Sequence, residues 1–146
     1  MEKYWASTPM NVGGSSVRSH YGLSSSVGYG EKGAVCYVLE GNITSSADTL
    51  IWLRDQLALF SDLKSLDRMA ETVQDAGGVS LVPAFSGLGA PYFDAEPRAI
   101  LCGMSRGTTR AHIARAALES IAQQVADVLD AMSSDLNRPV AALSAD

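Results

Sequence analysis

The apolar positions follow two different patterns along the chain. In the first part they form short runs, which predict strands at Ser15–Ser19, Leu23–Gly28 and Ala34–Leu39. The turns between these runs contain Tyr21-Gly22 and Gly30–Gly33, where glycine tolerates a positive φ. The spacing predicts a three-stranded antiparallel meander whose third strand is buried on both faces.

The pattern becomes helical after Ser45 and Ser46, either of which can cap a helix by accepting a hydrogen bond from a free N–H. Leucines at helical spacing then predict a helix from Ala47 to Leu59. Ser61 is the expected cap of a second helix, from Leu63 to Gln74.

The longest apolar stripe predicts a helix from Arg110 to Met132. Before it, Val79–Phe85 has the pattern of a short buried strand and Ser86–Pro97 that of a loop with several Gly and Pro residues. After it, Val140–Ala145 is predicted to form a further strand. Strands that alternate with helices favour an α/β fold with a mixed sheet. A last strand with no covering helix after it indicates a truncated domain.

Composition narrows the class of protein. The chain has 146 residues, of which 47% are hydrophobic and 18% charged, as expected for one domain with a core. A net charge of −5 disfavours a nucleic-acid surface, and no apolar run or signal peptide indicates a membrane. Two cysteines are too few for a disulfide framework, so Cys36 and Cys102 are expected to be core thiols. We therefore expect a cytoplasmic domain without nucleic-acid or membrane partners.

The polar residues form no recognised catalytic motif on their own. A phosphate-binding P-loop is absent, and Gly87-Leu88-Gly89 is followed by a proline rather than by a helix, which favours a tight turn. His20 and His112 have no nucleophile motif near them, so structural positions are expected for both. Without a resemblance to known proteins, these residues would not reveal a function.

Several motifs in a fixed order do carry a resemblance: Met10–Gly13 (MNVG), Gly33–Gly41 (GAVCYVLEG), Trp52–Asp55 (WLRD), Val82–Asp94 (VPAFSGLGAPYFD), Ala99–Met104 and His112–Glu119. They resemble the MN-x-G, YALEG, QWLRD and PAF-S/T-GLGAPYWD segments and the C-terminal signature of the FGGY carbohydrate kinases. The glycerol-kinase-like branch is the most similar. The resemblance covers residues 10–146 and leaves 1–9 as a tag-like or unmatched leader.

This resemblance implies a fold and a reaction. Family members are two-domain ATP-dependent kinases, and each domain has the actin-like, ribonuclease-H-like fold: three antiparallel strands, then alternating helices and strands. Residues 10–146 would then be a partial C-terminal domain, truncated before its last helices. The full-length parent is expected to transfer a phosphoryl group from ATP, with Mg²⁺, to a polyol or sugar.

The family's catalytic base and substrate site precede the matched region. No catalytic residue is therefore expected in this chain, and the fragment is expected to bind neither ATP nor Mg²⁺ and to be inactive. A pentulose (xylulose-type) kinase fragment and a non-catalytic binding or oligomerisation module remain alternatives. A homo-oligomer is expected, because an incomplete domain exposes apolar surface.

Three positions match nucleotide-binding positions of the family. Ala47 stands where glycerol kinases have a glycine that contacts the nucleotide, and Ile51 stands where they have a glutamine. Both depart from the pattern, because alanine adds a methyl group and isoleucine cannot hydrogen-bond. Ile51 could instead join the helix core. Asp146 matches the first residue of the family's next nucleotide loop, D-G-G-A.

Two further regions have open roles. The Ser86–Asp94 loop could line the cleft near the phosphates or hold the sheet edge against the long helix, and the structural role is favoured. Arg106, His112 and Arg115 are expected to fix the start of the long helix or a contact between subunits rather than to perform chemistry.

Overall fold

The computed structural model describes residues 6–31 and 33–141. Its elements in chain order are β1 (Ala6–Gly13), β2 (Ser24–Glu31), β3 (Ala34–Ile43), α1 (Ala47–Asp55), α2 (Leu63–Ala70), β4 (Ser80–Val82), β5 (Ile100–Cys102) and α3 (Arg110–Leu136). Most of the predicted strand Val140–Ala145 lies outside the described residues, as does Asp146, and residues 140 and 141 are not in a strand.

The first three strands form one antiparallel sheet in the order β1-β3-β2. The predicted meander is therefore wrong, because a meander would place the second strand in the centre. The strand predicted at Ser15–Ser19 is also wrong: that segment belongs to the connection between β1 and β2, and β1 runs from Ala6 to Gly13. Val17 is the one apolar residue of the segment, and it packs against the core without forming a strand. The expected domain boundary at residue 10 falls inside β1.

β3 occupies the centre of the sheet, where its strongly apolar sequence is most buried. Leu39, Gly41 and Ile43 are buried, whereas Val35, at the other end of the strand, is exposed. The prediction that this strand is buried on both faces is thus wrong for its first residues. Gly41 lies so close to α3 that a Cβ atom there would clash with the side chain of Val128. The sheet therefore packs directly on α3 at this point.

α3 connects the two main apolar clusters. Its predicted span, Arg110 to Met132, is confirmed, and the helix continues to Leu136 before Asn137 ends it in the left-handed conformation. The first cluster joins α3 to α1, α2 and β4 through Leu50, Leu53, Phe60, Leu66, Ala70, Leu81, Ala114 and Ala117. The second joins α3 to the large sheet through Leu23, Leu39, Ile43, Ala90, Val128, Ala131 and Met132.

The two short helices are shorter than predicted. α1 begins at Ala47 as expected but ends at Asp55 rather than Leu59, because Ala58 adopts a positive φ of 49° that turns the chain. α2 begins at Leu63 as expected but ends at Ala70 rather than Gln74. Leu59 and Phe60, beyond the end of α1, still pack against the core although they are not helical.

The cap of α2 is Asp62 rather than the expected Ser61. The Asp62 carboxylate accepts a hydrogen bond from the Ser65 N–H at 2.9 Å, and the Ser65 hydroxyl accepts one from the Asp62 N–H at 3.1 Å. This reciprocal capping box satisfies donors at the start of the helix. Ser61 contributes indirectly, since its hydroxyl donates to the Asp62 carboxylate at 2.9 Å.

β4 and β5 form a second, antiparallel sheet. β4 covers only three residues of the predicted strand Val79–Phe85. All strand pairs in the two described sheets are antiparallel, so the parallel pairs of a mixed sheet are not among residues 6–31 and 33–141. Cys102 on β5 is exposed and Cys36 is half-buried, so the expectation of two core thiols is wrong.

The described part of the chain contains no helix that is both long and apolar enough to cross a membrane.

Candidate functional site

Two of the three predicted nucleotide-binding positions, Ala47 and Ile51, lie near the start of α1. Ser46 is the N-cap residue, and its N–H donates to the Asp48 carboxylate at 2.7 Å. A negative charge in the first turn is favourable for the helix dipole. The same charge opposes the binding of an anion at this helix end.

Ala47 and Ile51 lie one helical turn apart. Ala47 is exposed and Ile51 is half-buried, while Leu50 and Leu53 form the core side of the helix. Ile51 belongs to none of the apolar clusters found among the described residues, so its packing into the core is not observed. The two side chains leave a small apolar surface beside the helix start.

α3 contacts the segment just before α1 through a hydrogen bond. The Gln124 amide donates to the carbonyl of Ser45 at 2.9 Å and to that of Ser120 at 3.3 Å. The Ser45 and Thr49 hydroxyls are buried here, and neither has a hydrogen-bond partner within the described residues. Buried hydroxyls without hydrogen-bond partners cost stability, so packing alone does not explain the two polar side chains where α1 meets α3.

The Ser86–Asp94 loop is closed by hydrogen bonds within its own backbone. Leu88 and Asp94 exchange two bonds, from Leu88 N to Asp94 O at 2.7 Å and from Asp94 N to Leu88 O at 3.1 Å. The Gly89 carbonyl accepts from the N–H groups of Tyr92 and Phe93, both at 2.9 Å. Phe93 has a φ of 48°, which is uncommon for a residue with a side chain. The loop is therefore a defined turn that holds two aromatic residues at its tip.

The loop also docks tightly on its neighbours. The Ala90 N–H donates to the Asn42 carbonyl at the end of β3 at 2.9 Å, and a Cβ atom on Gly89 would clash with the same carbonyl. Gly22 approaches the Pro91 carbonyl so closely that a side chain there would also clash. These contacts support the structural interpretation of the loop, since they join it to the sheet and to the connection before β2.

A cavity of about 220 Å³ lies between this loop, β4 and α3. Its walls are Leu81, Val82, Pro83, Leu88, Gly89, Ala90, Tyr92, Ser120, Gln123, Gln124 and Asp127. The Tyr92 hydroxyl donates to the Asp127 carboxylate at 3.0 Å. This hydrogen bond, with a smaller contribution from burial, raises the pKa of Tyr92 above its ordinary 10.0. We refer to this space as the Tyr92 cavity.

The sequence did not indicate the Tyr92–Asp127 pair. The two residues are 35 positions apart in the sequence. No short motif links a loop residue to a helix residue so far along the chain. The role of Asp48, by contrast, could have been predicted from the sequence, because an acidic residue in the first turn of a helix commonly interacts with free N–H groups.

The remaining candidate residues have structural contacts or lie on the surface. The His112 ring accepts a hydrogen bond from the Thr109 N–H at 3.0 Å, which confirms its role at the start of α3. Arg115 donates to Glu119 at 2.6 Å, and Arg106 is exposed. His20 is exposed as well, and its backbone N–H donates to Asp135 at 2.7 Å. In the described ranges, no group of His, Cys, Asp or Glu side chains is arranged to hold a metal ion.

Comparison with known protein families identifies the fold and the family. The family model of the FGGY family of carbohydrate kinases, C-terminal domain, matches residues 7–146. The chain belongs to this family. The match begins within β1 of the FGGY domain and includes α1, the Ser86–Asp94 loop and α3.

Curated relatives of this FGGY domain include glycerol kinases. The glycerol kinase of Acinetobacter baylyi is 57% identical over 110 residues, which are 75% of this chain and 22% of that protein. The glycerol kinase of Aeromonas hydrophila is 50% identical over 137 residues, which are 94% of this chain and 27% of that protein. The chain thus spans about a quarter of the length of the curated relatives it matches.

Solved structures agree with this assignment. The crystal structure of Plasmodium falciparum glycerol kinase with ADP superposes with a TM-score of 0.85 at 34% identity, over 92% of this chain and 27% of that one. The xylulose kinase from Bifidobacterium adolescentis gives a TM-score of 0.74 at 21% identity, over 93% and 26% of the two chains. The second match shows the shared fold alone. The FGGY domain therefore has the actin-like α/β fold that the sequence motifs implied.

Proposed function

We propose that this chain is part of an ATP-dependent carbohydrate kinase that transfers a phosphoryl group from ATP to a hydroxyl group of glycerol or a similar polyol. The observation that carries the proposal is the 50–57% identity to glycerol kinases within the matched family. A pentulose kinase has less support, since the xylulose kinases superpose at only 20–25% identity.

Phosphoryl transfer needs a base for the acceptor hydroxyl and positive charge near the transferred group. The described residues contain no group of His, Cys, Asp and Glu side chains arranged to hold Mg²⁺. We propose that these groups belong to other parts of the full-length protein. The 146-residue chain by itself is then inactive.

The start of α1 fits only part of a nucleotide. Asp48 opposes a phosphate group there, and neither Ala47 nor Ile51 can hydrogen-bond through its side chain. Their apolar surface suits contact with a base or a ribose instead. We propose that ATP contacts Ala47 and Ile51 through these uncharged portions and that Asp146 begins the next segment at the nucleotide. The phosphates would then lie away from the start of α1.

A segment exchange tests the proposed function directly. Residues 7–141 of this chain would replace the aligned segment of Aeromonas hydrophila glycerol kinase. The host enzyme, which is 50% identical over the matched segment, then supplies the rest of the kinase. We expect ATP-dependent phosphorylation of glycerol by the hybrid. A hybrid that unfolds at a temperature near that of the host yet forms no product would support a non-catalytic binding module instead.

The contact at Ile51 can be tested in the same hybrid. Ile51→Gln restores a hydrogen-bonding side chain, so we expect the KM for ATP to fall by about threefold to tenfold, which corresponds to one hydrogen bond. Leu57→Gln is the control, because Leu57 is an apolar residue that is exposed and follows the end of α1. Equal KM values for ATP in both variants would show that position 51 does not contact the nucleotide.

The proposed function also implies a setting for the protein. Glycerol-kinase activity would place it in the cytoplasm, where ATP is abundant. Self-association is proposed as well, because large apolar side chains are exposed on several elements, among them Val27, Tyr29 and Ile100.

A further inference from the structure

The Tyr92 cavity contains polar groups to which the proposed function assigns no role. One wall is apolar and is formed by Leu81, Val82, Pro83 and Leu88. The wall on α3 carries Gln124 and the Asp127 carboxylate, the only charged group among the described residues that line the cavity. The cavity is therefore amphipathic, with one negative charge.

Most hydrogen-bond donors of the cavity are already engaged. The Tyr92 hydroxyl donates to Asp127, the Ser120 hydroxyl donates to the Ala117 carbonyl, and the Gln124 amide donates to two carbonyls. What these groups still offer is acceptors: the second Asp127 oxygen and the Gln124 side-chain oxygen. A ligand that binds between Asp127 and Gln124 must therefore supply donors.

The aromatic residue at the rim adds a second requirement. Tyr92 is 57% exposed, yet the defined turn of its loop and its bond to Asp127 hold it in place. A tyrosine ring attracts a cation at its face, and the adjacent carboxylate attracts it further. The donor that fits best is consequently positively charged.

We propose that the Tyr92 cavity binds a primary ammonium group on a short alkyl chain. The ammonium group donates to Asp127 and Gln124 beside the Tyr92 ring, and the alkyl chain lies against Leu81 and Leu88. A cavity of 220 Å³ has about the volume of seven waters, which is sufficient for a chain of four carbons. The ammonium group can come from a free amine or from a lysine side chain of another protein.

The experiment is a titration of the isotope-labelled 146-residue chain with n-butylammonium chloride, followed by amide and side-chain NMR shifts. We expect shifts confined to Tyr92, Gln124 and the neighbouring loop, with a dissociation constant on the order of 1–10 mM. Sodium chloride at the same ionic strength and n-butanol serve as controls for charge alone and for the alkyl chain alone. Because this measurement does not involve phosphoryl transfer, its outcome is independent of the proposed kinase function.

Three substitutions identify the group responsible. Asp127→Asn removes the charge with little change of shape and should weaken binding by at least about tenfold. Asp130→Asn removes an equal charge from an exposed position of the same helix, outside the cavity lining, and should leave binding unchanged. Tyr92→Phe keeps the ring and frees the Asp127 carboxylate from its hydrogen bond, so binding should persist. This variant keeps the charge and can still be measured if Asp127→Asn is unstable.

Three outcomes would overturn the proposal. The first is the absence of localised shifts at butylammonium concentrations up to 50 times the expected dissociation constant. The others are equal binding of n-butanol and equal loss of binding in the Asp127 and Asp130 variants. If the site is present, a lysine-containing tripeptide compared with its acetyl-lysine counterpart separates the two sources of the ammonium group. Binding of the tripeptide with at least the affinity of butylammonium would indicate a protein ligand, and weaker binding would indicate a free amine.

Discussion

Single residues decide how the FGGY domain is held together at its loop. Gly89 has no side chain, and this absence lets the loop backbone lie against the Asn42 carbonyl at the end of β3. Phe93 turns the chain with a positive φ, and the Gly89 carbonyl accepts two hydrogen bonds. The G-L-G-A-P sequence thus has a packing explanation that does not require a phosphate ligand.

We predict that Gly89→Ala destabilises the chain by about 1–3 kcal/mol, because the new methyl group forces the loop away from β3. Gly14→Ala is the matched control: the nearest atom to its Cβ would be the Val35 carbonyl oxygen at 3.8 Å, an ordinary contact. Urea unfolding followed by circular dichroism measures both. Equal stability of the two variants would contradict the packing role of Gly89.

A second prediction at this scale concerns the ionisation of Tyr92. Its folded pKa lies above 10.0 because ionisation would break its hydrogen bond to Asp127 and place two negative charges together. The stability from this bond is complete below pH 10.0 and is lost as the pH rises through the folded pKa of Tyr92. In Asp127→Asn, the Tyr92 pKa should return towards 10.0 in an NMR titration of the tyrosine Cζ resonance. An unchanged pKa would show that Asp127 is not the cause.

At the scale of elements, apolar periodicity located the three helices of the described residues but not all of their ends. α3 follows its stripe closely because a long helix buried on one side is specified along its whole length. The end of α1 was missed because Leu59, beyond that end, still packs against the core. Burial of an apolar residue does not by itself require a helix. The backbone leaves the helical conformation before Ala58, which has a positive φ.

The strands were harder to predict because short strands gain their stability from pairing partners. Ser15–Ser19 pairs with no strand among the described residues, whereas Ala6–Gly13 pairs with β3, with one irregularity between Asn11 and Gly13. The pairing of β1 with β3 connects residues up to 37 positions apart, Ala6 with Ile43. No local pattern encodes such a register, and the meander was therefore the wrong arrangement.

The start of α2 gives a prediction about pH. The pKa of Asp62 lies below its usual 3.8, first because the Ser65 N–H donates to its carboxylate and second because the Ser61 hydroxyl does so. The resulting stability is present above pH 3.8 and is lost as the pH falls through the folded pKa of Asp62. Amide hydrogen exchange of Leu66 should therefore accelerate below pH 3.8, after correction for the intrinsic rate.

Asp62→Asn provides the control for this prediction, since asparagine also caps helices but does not titrate. In this variant, the corrected exchange of α2 amides should no longer change with pH in that range. A persistent pH dependence would mean that another carboxyl group controls the start of α2.

At the scale of the whole molecule, the sequence predicted the family and the order of the motifs but not the arrangement around the site. Ala47 and Ile51 were correctly placed on one helix, one turn apart. The cavity formed where the Ser86–Asp94 loop meets α3, and the Tyr92–Asp127 hydrogen bond in it, depend on contacts between distant segments. Such contacts become visible only when the packing of the elements is known.

Self-association is the prediction at this scale. β2 is an edge strand with no charged residue from Ser24 to Gly30, and its Val27 and Tyr29 are 62% and 61% exposed. Such an edge can pair with another copy. Sedimentation should show concentration-dependent association, weakened about tenfold, or by ~1.4 kcal/mol, in Val27→Lys.

Leu57→Lys is the control for charge, because it replaces an apolar side chain that is 44% exposed at a position away from β2. We expect this variant to associate like the unmodified chain. Monomers at all micromolar concentrations, or equal weakening by both lysines, would rule out association through this edge.

The central claim is that this FGGY domain serves in a kinase despite the departures at Ala47 and Ile51. The decisive measurement is the initial rate at which the hybrid with Aeromonas hydrophila glycerol kinase transfers the γ-phosphoryl group of labelled ATP to glycerol. The account predicts a rate above blank and within about a hundredfold of the host enzyme, which corresponds to ~2.7 kcal/mol in the activation free energy. A folded hybrid with no transfer above blank would contradict it.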